Sequence, residues 1–218
     1  CRWTSARWRR RSAEEKSYRA LTQGLAAVAA GDANQAKHFL KKTNADLVEP
    51  GLLHLLAAMS GQLSGDQTEA SAAYQRLLER RETAMLGLRG LLGMALRRGD
   101  DADALRWAKQ AYALQPSGSW VSGALFELEV RQNELARAEA TLREAMRKKW
   151  ISQEQGRPQH VALLLLQAEQ ALADNRSSDA EQLALRAVDM LPDFVPAAIM
   201  AARLVMAAAP RKAAKIIE

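Results

Sequence analysis

The sequence predicts an all-α fold, a superhelical solenoid of about six helix pairs, and three observations carry that expectation. Alanine and leucine dominate an apolar fraction of 48%, while Phe, Tyr and Trp together make up 5%. That mixture suits helices packed closely through small side chains better than it suits sandwiches or barrels. An alanine also recurs along the chain at a fixed interval. Shortly before each of these alanines lies a break of a few residues in which a helix must stop, reverse and restart.

Gly31-Asp32 precedes Ala36, Gly65-Asp66 precedes Ala70, Gly99-Asp100 precedes Ala104, and Asn133-Glu134 precedes Ala138, so the interval is 34 residues. This is the period of tetratricopeptide (TPR) repeats, each a helix–turn–helix unit. The series continues at Ala180 behind Asn175-Arg176, after a spacing of 42, and at Ala214 behind Ala209-Pro210, after 34. One insertion of eight residues therefore interrupts the register. It falls near Lys149–Pro158, a stretch with no repeat counterpart.

The first expected pair is 12–30 and 33–43. It turns at Gly31-Asp32, because glycine tolerates the left-handed backbone that ends a helix and aspartate caps the next one. The second pair, 50–63 and 67–80, and the third, 83–97 and 101–114, use the same turn; the third ends at Leu114-Gln115-Pro116, where proline stops a helix. In the fourth pair, 118–131 and 135–148, and the fifth, 157–173 and 177–190, asparagine takes the place of glycine. The fifth ends at Met190-Leu191-Pro192. The sixth, 193–207 and 210–218, has no polar capping repeat behind it, so the solenoid is expected to continue beyond this chain. The recurring alanine marks a close crossing of two helices and is expected to be buried. Gly87, Gly90 and Gly93 read as a smooth helix stripe for close packing, and Met85, Met94, Met190, Met200 and Met206 as core filler.

Charge is uneven. The chain carries a net +6, yet residues 2–16 hold Arg2, Arg7, Arg9, Arg10, Arg11 and Lys16 against only Glu14 and Glu15. Trp3 and Trp8 are interleaved with these arginines, and basic residues with aromatics are what the headgroup region beside a membrane segment favours. Residues 1–16 are therefore expected to form a basic juxtamembrane segment, with Trp3, Arg7, Trp8, Arg9, Arg10 and Arg11 at an anionic membrane surface, and 17–218 to form the solenoid. The longest apolar stretches, such as Val161–Leu166, are too short to span a bilayer, so any span is expected upstream of Cys1.

Catalytic and metal chemistry find little support. One cysteine supplies neither an internal disulfide nor a Cys-rich metal site. His38, His54 and His160 are scattered, with no HExxH or CxxCH spacing, and read as packing or surface residues. No enzyme activity, cofactor or metal is expected. A pI near 9.7 raises nucleic-acid binding, but the positive excess is concentrated in the first sixteen residues instead of along one face, so no specific nucleic acid is expected. The repeat register instead puts Arg89, Arg97, Trp120, Glu127, Arg131, Glu169 and Arg203 on or near the concave face lined by first helices. Arginines there could clamp a protein partner or acidic peptide through bidentate pairing with carboxylates.

Three stretches, Tyr18–Asp32 (YRALTQGLAAVAAGD), Glu82–Leu91 (ETAMLGLRGL) and Leu191–Ala198 (LPDFVPAA), together with the basic, tryptophan-containing start, resemble the HemY-like proteins of proteobacteria, most closely the alphaproteobacterial branch. The resemblance spans nearly the whole chain. It implies an inner-membrane protein with N-terminal transmembrane helices followed by TPR repeats, linked by name to haem metabolism. The expectation is then a bacterial inner-membrane scaffold, its TPR region on the cytoplasmic side; a periplasmic location is the alternative. The alternative function is direct porphyrin or haem binding by a haem-biosynthesis accessory protein. An unrelated flavin-dependent oxidase shares the name, but this chain has no GxGxxG fingerprint.

Overall fold

The computed structural model describes residues 2–118, 120–206, 213, 214 and 216, with side chains from residue 7 onward. The fold is of the TPR α-α solenoid type. Its described residues form eleven α-helices and no strand, divided between two compact units, Cys1–Leu114 and Gln115–Glu218. The first unit holds three hairpins: α1 (Arg2–Ala29) with α2 (Ala33–Lys42), α3 (Pro50–Leu63) with α4 (Gln67–Leu77), and α5 (Arg81–Arg97) with α6 (Asp101–Leu114). The second unit holds α7 (Val121–Arg131) with α8 (Leu135–Arg147), α9 (Gln153–Ala173) with α10 (Ser177–Met190), and α11 (Val195–Met206).

The hairpin turns follow one design. Gly31, Gly65, Gly99, Asn133 and Asn175 all have positive φ, between 58° and 79°. The next residue's N–H then bonds back to a carbonyl of the preceding helix: Asp32 to Ala27, Asp66 to Gly61, Asp100 to Ala95, Glu134 to Glu129 and Arg176 to Ala171, all at 2.8–3.0 Å. The three aspartates also cap the following helix, accepting from the N–H of Gln35, Glu69 and Asp103. Glu134 and Arg176 make no such cap.

The repeat alanines behave as the register requires, since Ala36, Ala70, Ala104, Ala138 and Ala180 are each 0% exposed. The crossings are tight: a Cβ on Gly61 of α3 would stand 2.9 Å from the Ala70 nitrogen of α4. Gly87 and Gly90 of α5 pack on Tyr74 of α4, where a side chain at Gly87 would come within 2.6 Å of the Tyr74 carbonyl. A buried carboxylate also joins one hairpin of the second unit, where Glu129 of α7 accepts from the Thr141 hydroxyl of α8 at 2.8 Å.

Four expectations need correction. The first helix begins at Arg2 and not at residue 12, because arginines are good helix formers and the pair Arg11–Glu15, at 3.8 Å, lies one turn apart on it. α7 begins at Val121, three residues later than expected. α9 begins at Gln153 and not at 157: Ser152 and Gln155 form a reciprocal capping box, and the helix continues through Pro158. The hydrogen bond proline cannot make would reach residue 154, in the exposed first turn, where water can replace it. The inserted residues thus lengthen a first helix. Lastly, Ala213 is buried (2%) beside Ala202 and Val205 while Ala214 is exposed, so the final repeat alanine is Ala213. Most of the expected helix 210–218 lies outside the described residues.

Candidate partner-binding face

Within each unit first helices neighbour one another, α1 beside α3 and α9 beside α11, and their outward side chains form the candidate face. In the second unit α7 and α9 line a groove of about 340 Å³, with Phe126, Val130, Leu163 and Leu166 as apolar lining and Glu127 and Arg131 as its charged residues. α9 and α11 line a second groove, of about 410 Å³, with Leu165, Leu172, Ile199 and Met200 as lining and Glu169 and Arg203 as its charged residues. Four of the seven residues expected on the partner face are therefore brought together in two neighbouring grooves of one unit. All four are exposed.

The other three are placed differently. Trp120 is half-buried at the N-terminal boundary of α7 and is part of the lining of neither groove. Arg89 and Arg97 are exposed on α5 of the first unit, two turns apart. Arg97 reaches Gln62 of α3: with the amide oxygen of Gln62 turned toward it, Arg97 Nη1 donates at 3.0 Å while the amide nitrogen donates to Tyr74 Oη at 2.9 Å. Burial holds the Tyr74 hydroxyl above its ordinary pKa, with Arg97 opposing.

The groove linings escaped a reading that followed charge. Their signal is present in residues 161–166 (VALLLL), which are apolar on every side of a helix although only one side can face the core. Val161, Leu163 and Leu164 are buried, whereas Leu166 is left 40% exposed.

Between α8 and its neighbours α9 and α10 lies a polar cluster centred on Glu139 of α8. Its carboxylate accepts from Gln167 Nε2 at 3.1 Å, stands 3.2 Å from His160 Nε2, and lies 3.6 Å from Arg186 and 3.8 Å from Arg143. Burial pushes the Glu139 carboxyl up, but the hydrogen bonds from Gln167 and His160 and the charge of Arg186 outweigh it and hold it below its ordinary value. His160, 7% exposed, thus ties α9 to α8. His54 is half-buried, and burial followed by the nearby Arg76 lowers its pKa. His38 is exposed and meets the Phe39 ring edge-on at 5.3 Å. Among the described residues no group of three or more His, Cys, Asp or Glu is arranged to hold a metal ion.

At the N-terminus Arg7, Trp8, Arg9, Arg10 and Arg11 are exposed on α1, Trp8 at 72%. The side chain of Trp3 and all of Cys1 lie outside the described residues. No described helix is long and apolar enough to cross a membrane.

Residues 2–65, covering α1 to α3, match the family model described as HemY protein N-terminus. No curated protein matches the chain. Among solved structures it is similar to YrrB, described as a TPR protein with an unusual peptide-binding site, at 12% identity and a TM-score of 0.50 over 82% of this chain and 88% of that one. It is also similar to pilF of Pseudomonas aeruginosa, at 17% identity and a TM-score of 0.48 over 94% and 89%, and to the P58(IPK) TPR domain, at 16% identity and 0.44 over 92% and 62%. TPR-type hairpins run through the described residues, and the match to the HemY N-terminus model covers residues 2–65, the first three helices.

Proposed function

We propose that this chain is a membrane-tethered, non-catalytic scaffold that binds a protein partner through the face of its first helices. The observation that carries this reading is the pair of open, apolar grooves between α7, α9 and α11, each with one acid and one base in its lining. Grooves of this kind, with a few placed polar groups, are suited to holding a segment of another protein. Arg89, Arg97 and Trp120 extend the proposed contact set to Glu127, Arg131, Glu169 and Arg203. A photo-crosslinker at position 166, used in native membranes, should give a discrete protein adduct that one at the exposed Gln182 of α10 does not. Equal labelling from both positions, or none from 166, refutes the reading.

The tether is proposed from Arg7, Trp8, Arg9, Arg10 and Arg11, exposed together at the start of α1. Each basic residue near an anionic leaflet contributes on the order of 1 kcal/mol, so the chain should bind anionic vesicles and be released by salt. The same positive residues favour the cytoplasmic side of a bacterial inner membrane. Cleavage of the TPR region by protease added to intact spheroplasts would reverse that orientation. The proposed link to haem or porphyrin metabolism is supported by the family resemblance alone.

A further inference from the structure

The two grooves flank one helix, and each combines an apolar lining with one acid and one base. In the first, Glu127 and Arg131 stand one turn apart on α7; in the second, Glu169 of α9 and Arg203 of α11 come from opposite walls. Neither groove carries a net positive charge from its lining, so an acidic ligand gains little from one arginine that it does not lose to the neighbouring glutamate. The exposed surface available for burial is aliphatic: Leu166, Leu172 and Ile199 are 40%, 37% and 43% exposed. Grooves on either side of one helix are about 8–10 Å apart, the spacing of packed helices. Three residues of polyproline II chain, at about 3.1 Å each and three to the turn, or two turns of α-helix span that distance with both anchors on one face.

Resting on the scaffold reading above, we infer that the partner segment is not an acidic peptide but one with two apolar anchors about 10 Å apart, one for each groove, flanked by mixed charges that sum to near zero. A base near each anchor answers Glu127 and Glu169, and an acid answers Arg131 and Arg203. Burial of the anchors drives the binding, and the charges set its register.

Random peptides displayed on phage, selected against the whole chain, test this. The expected winners share two aliphatic or aromatic residues spaced i, i+3 or i, i+7, have balanced charge, and stay bound in high salt. Leu166→Asp in the first groove and Ile199→Asp in the second should each weaken these peptides by about tenfold or more, since each removes a central apolar contact. Both positions are exposed; if either variant loses its helical circular dichroism, Ala162→Trp in the first groove and Leu172→Asp in the second, also at exposed sites, take their places. Acidic winners without apolar anchors, released by salt and by Arg131→Ala and Arg203→Ala, overturn the inference but leave the scaffold reading standing. Winners sensitive to only one groove overturn the two-anchor inference. Failure to enrich any peptide overturns both.

Discussion

The three hairpins of residues 1–114 turn on a glycine followed by an aspartate, whereas the two hairpin turns described in residues 115–218 are Asn133-Glu134 and Asn175-Arg176. The backbone geometry is the same, down to the bond that returns from the residue after the turn to the preceding helix. What differs is the side-chain cap, present at Asp32, Asp66 and Asp100 and missing at Glu134 and Arg176. The first helices differ as well. In the first unit α3 and α5 meet through the polar Gln62–Arg97 contact, while in the second α7, α9 and α11 leave apolar grooves between them. The repeat thus fixes the crossing of helices within a hairpin and leaves the outward faces of first helices to vary.

If the crossings are equivalent, overpacking them should cost the same in both units. Ala70→Leu and Ala104→Leu in the first, and Ala138→Leu and Ala180→Leu in the second, should each destabilise by roughly 1–3 kcal/mol, read from urea unfolding. A variant with an unchanged midpoint would remove its alanine from the register.

The second unit alone should respond to loss of the Glu139 cluster. Glu139→Ala removes the partner of the buried His160 and leaves the Gln167 amide only its 3.4 Å bond to the Leu135 carbonyl, and should cost about 1–3 kcal/mol. Because the folded Glu139 pKa lies below its ordinary 4.5, its contribution is complete above that value and is lost as pH falls through the folded value. Glu139→Gln should therefore flatten acid destabilisation below about pH 4.5 and leave its slope near neutrality unchanged. An identical acid limb in wild type and variant would contradict this.

Capping should then separate the units. Asp66→Ala and Asp100→Ala should cost about 0.5–2 kcal/mol, whereas Glu134→Ala and Arg176→Ala, with no cap bond to lose, should fall within about 0.5 kcal/mol of wild type. The smallest effect is expected at the turn residue. Asn133→Gly and Asn175→Gly keep the left-handed backbone and should change stability by no more than a few tenths of a kcal/mol, while Gly65→Ala should cost about 1–2 kcal/mol. Melting temperatures of all three would show whether glycine and asparagine serve interchangeably.

The fold was legible because its signals are local. A residue in left-handed backbone, a capping aspartate and an alanine at a close crossing each leave a mark in the sequence, and their repetition fixed the period of 34 and the hairpins at once. Element starts were less legible where two local signals competed. The expected start at residue 157 lies inside the inserted stretch, where the capping box of Ser152 and Gln155 begins the helix further upstream, and Ala213 and Ala214 are adjacent alanines that only packing can tell apart.

The candidate face divides along the same line. The register alone assigned Glu127, Arg131, Glu169 and Arg203 to the first helices, because position within a repeat determines which way a helical side chain points. Only the tertiary structure gathered them around two apolar grooves and set Arg97 against Gln62, because the space between neighbouring helices depends on the sizes of side chains contributed by both. Likewise His160 gave no sign in the sequence of being tied to Glu139, twenty-one residues away. Periodicity reports the faces of one helix; grooves and buried polar partners belong to pairs of helices, and their geometry comes from packing.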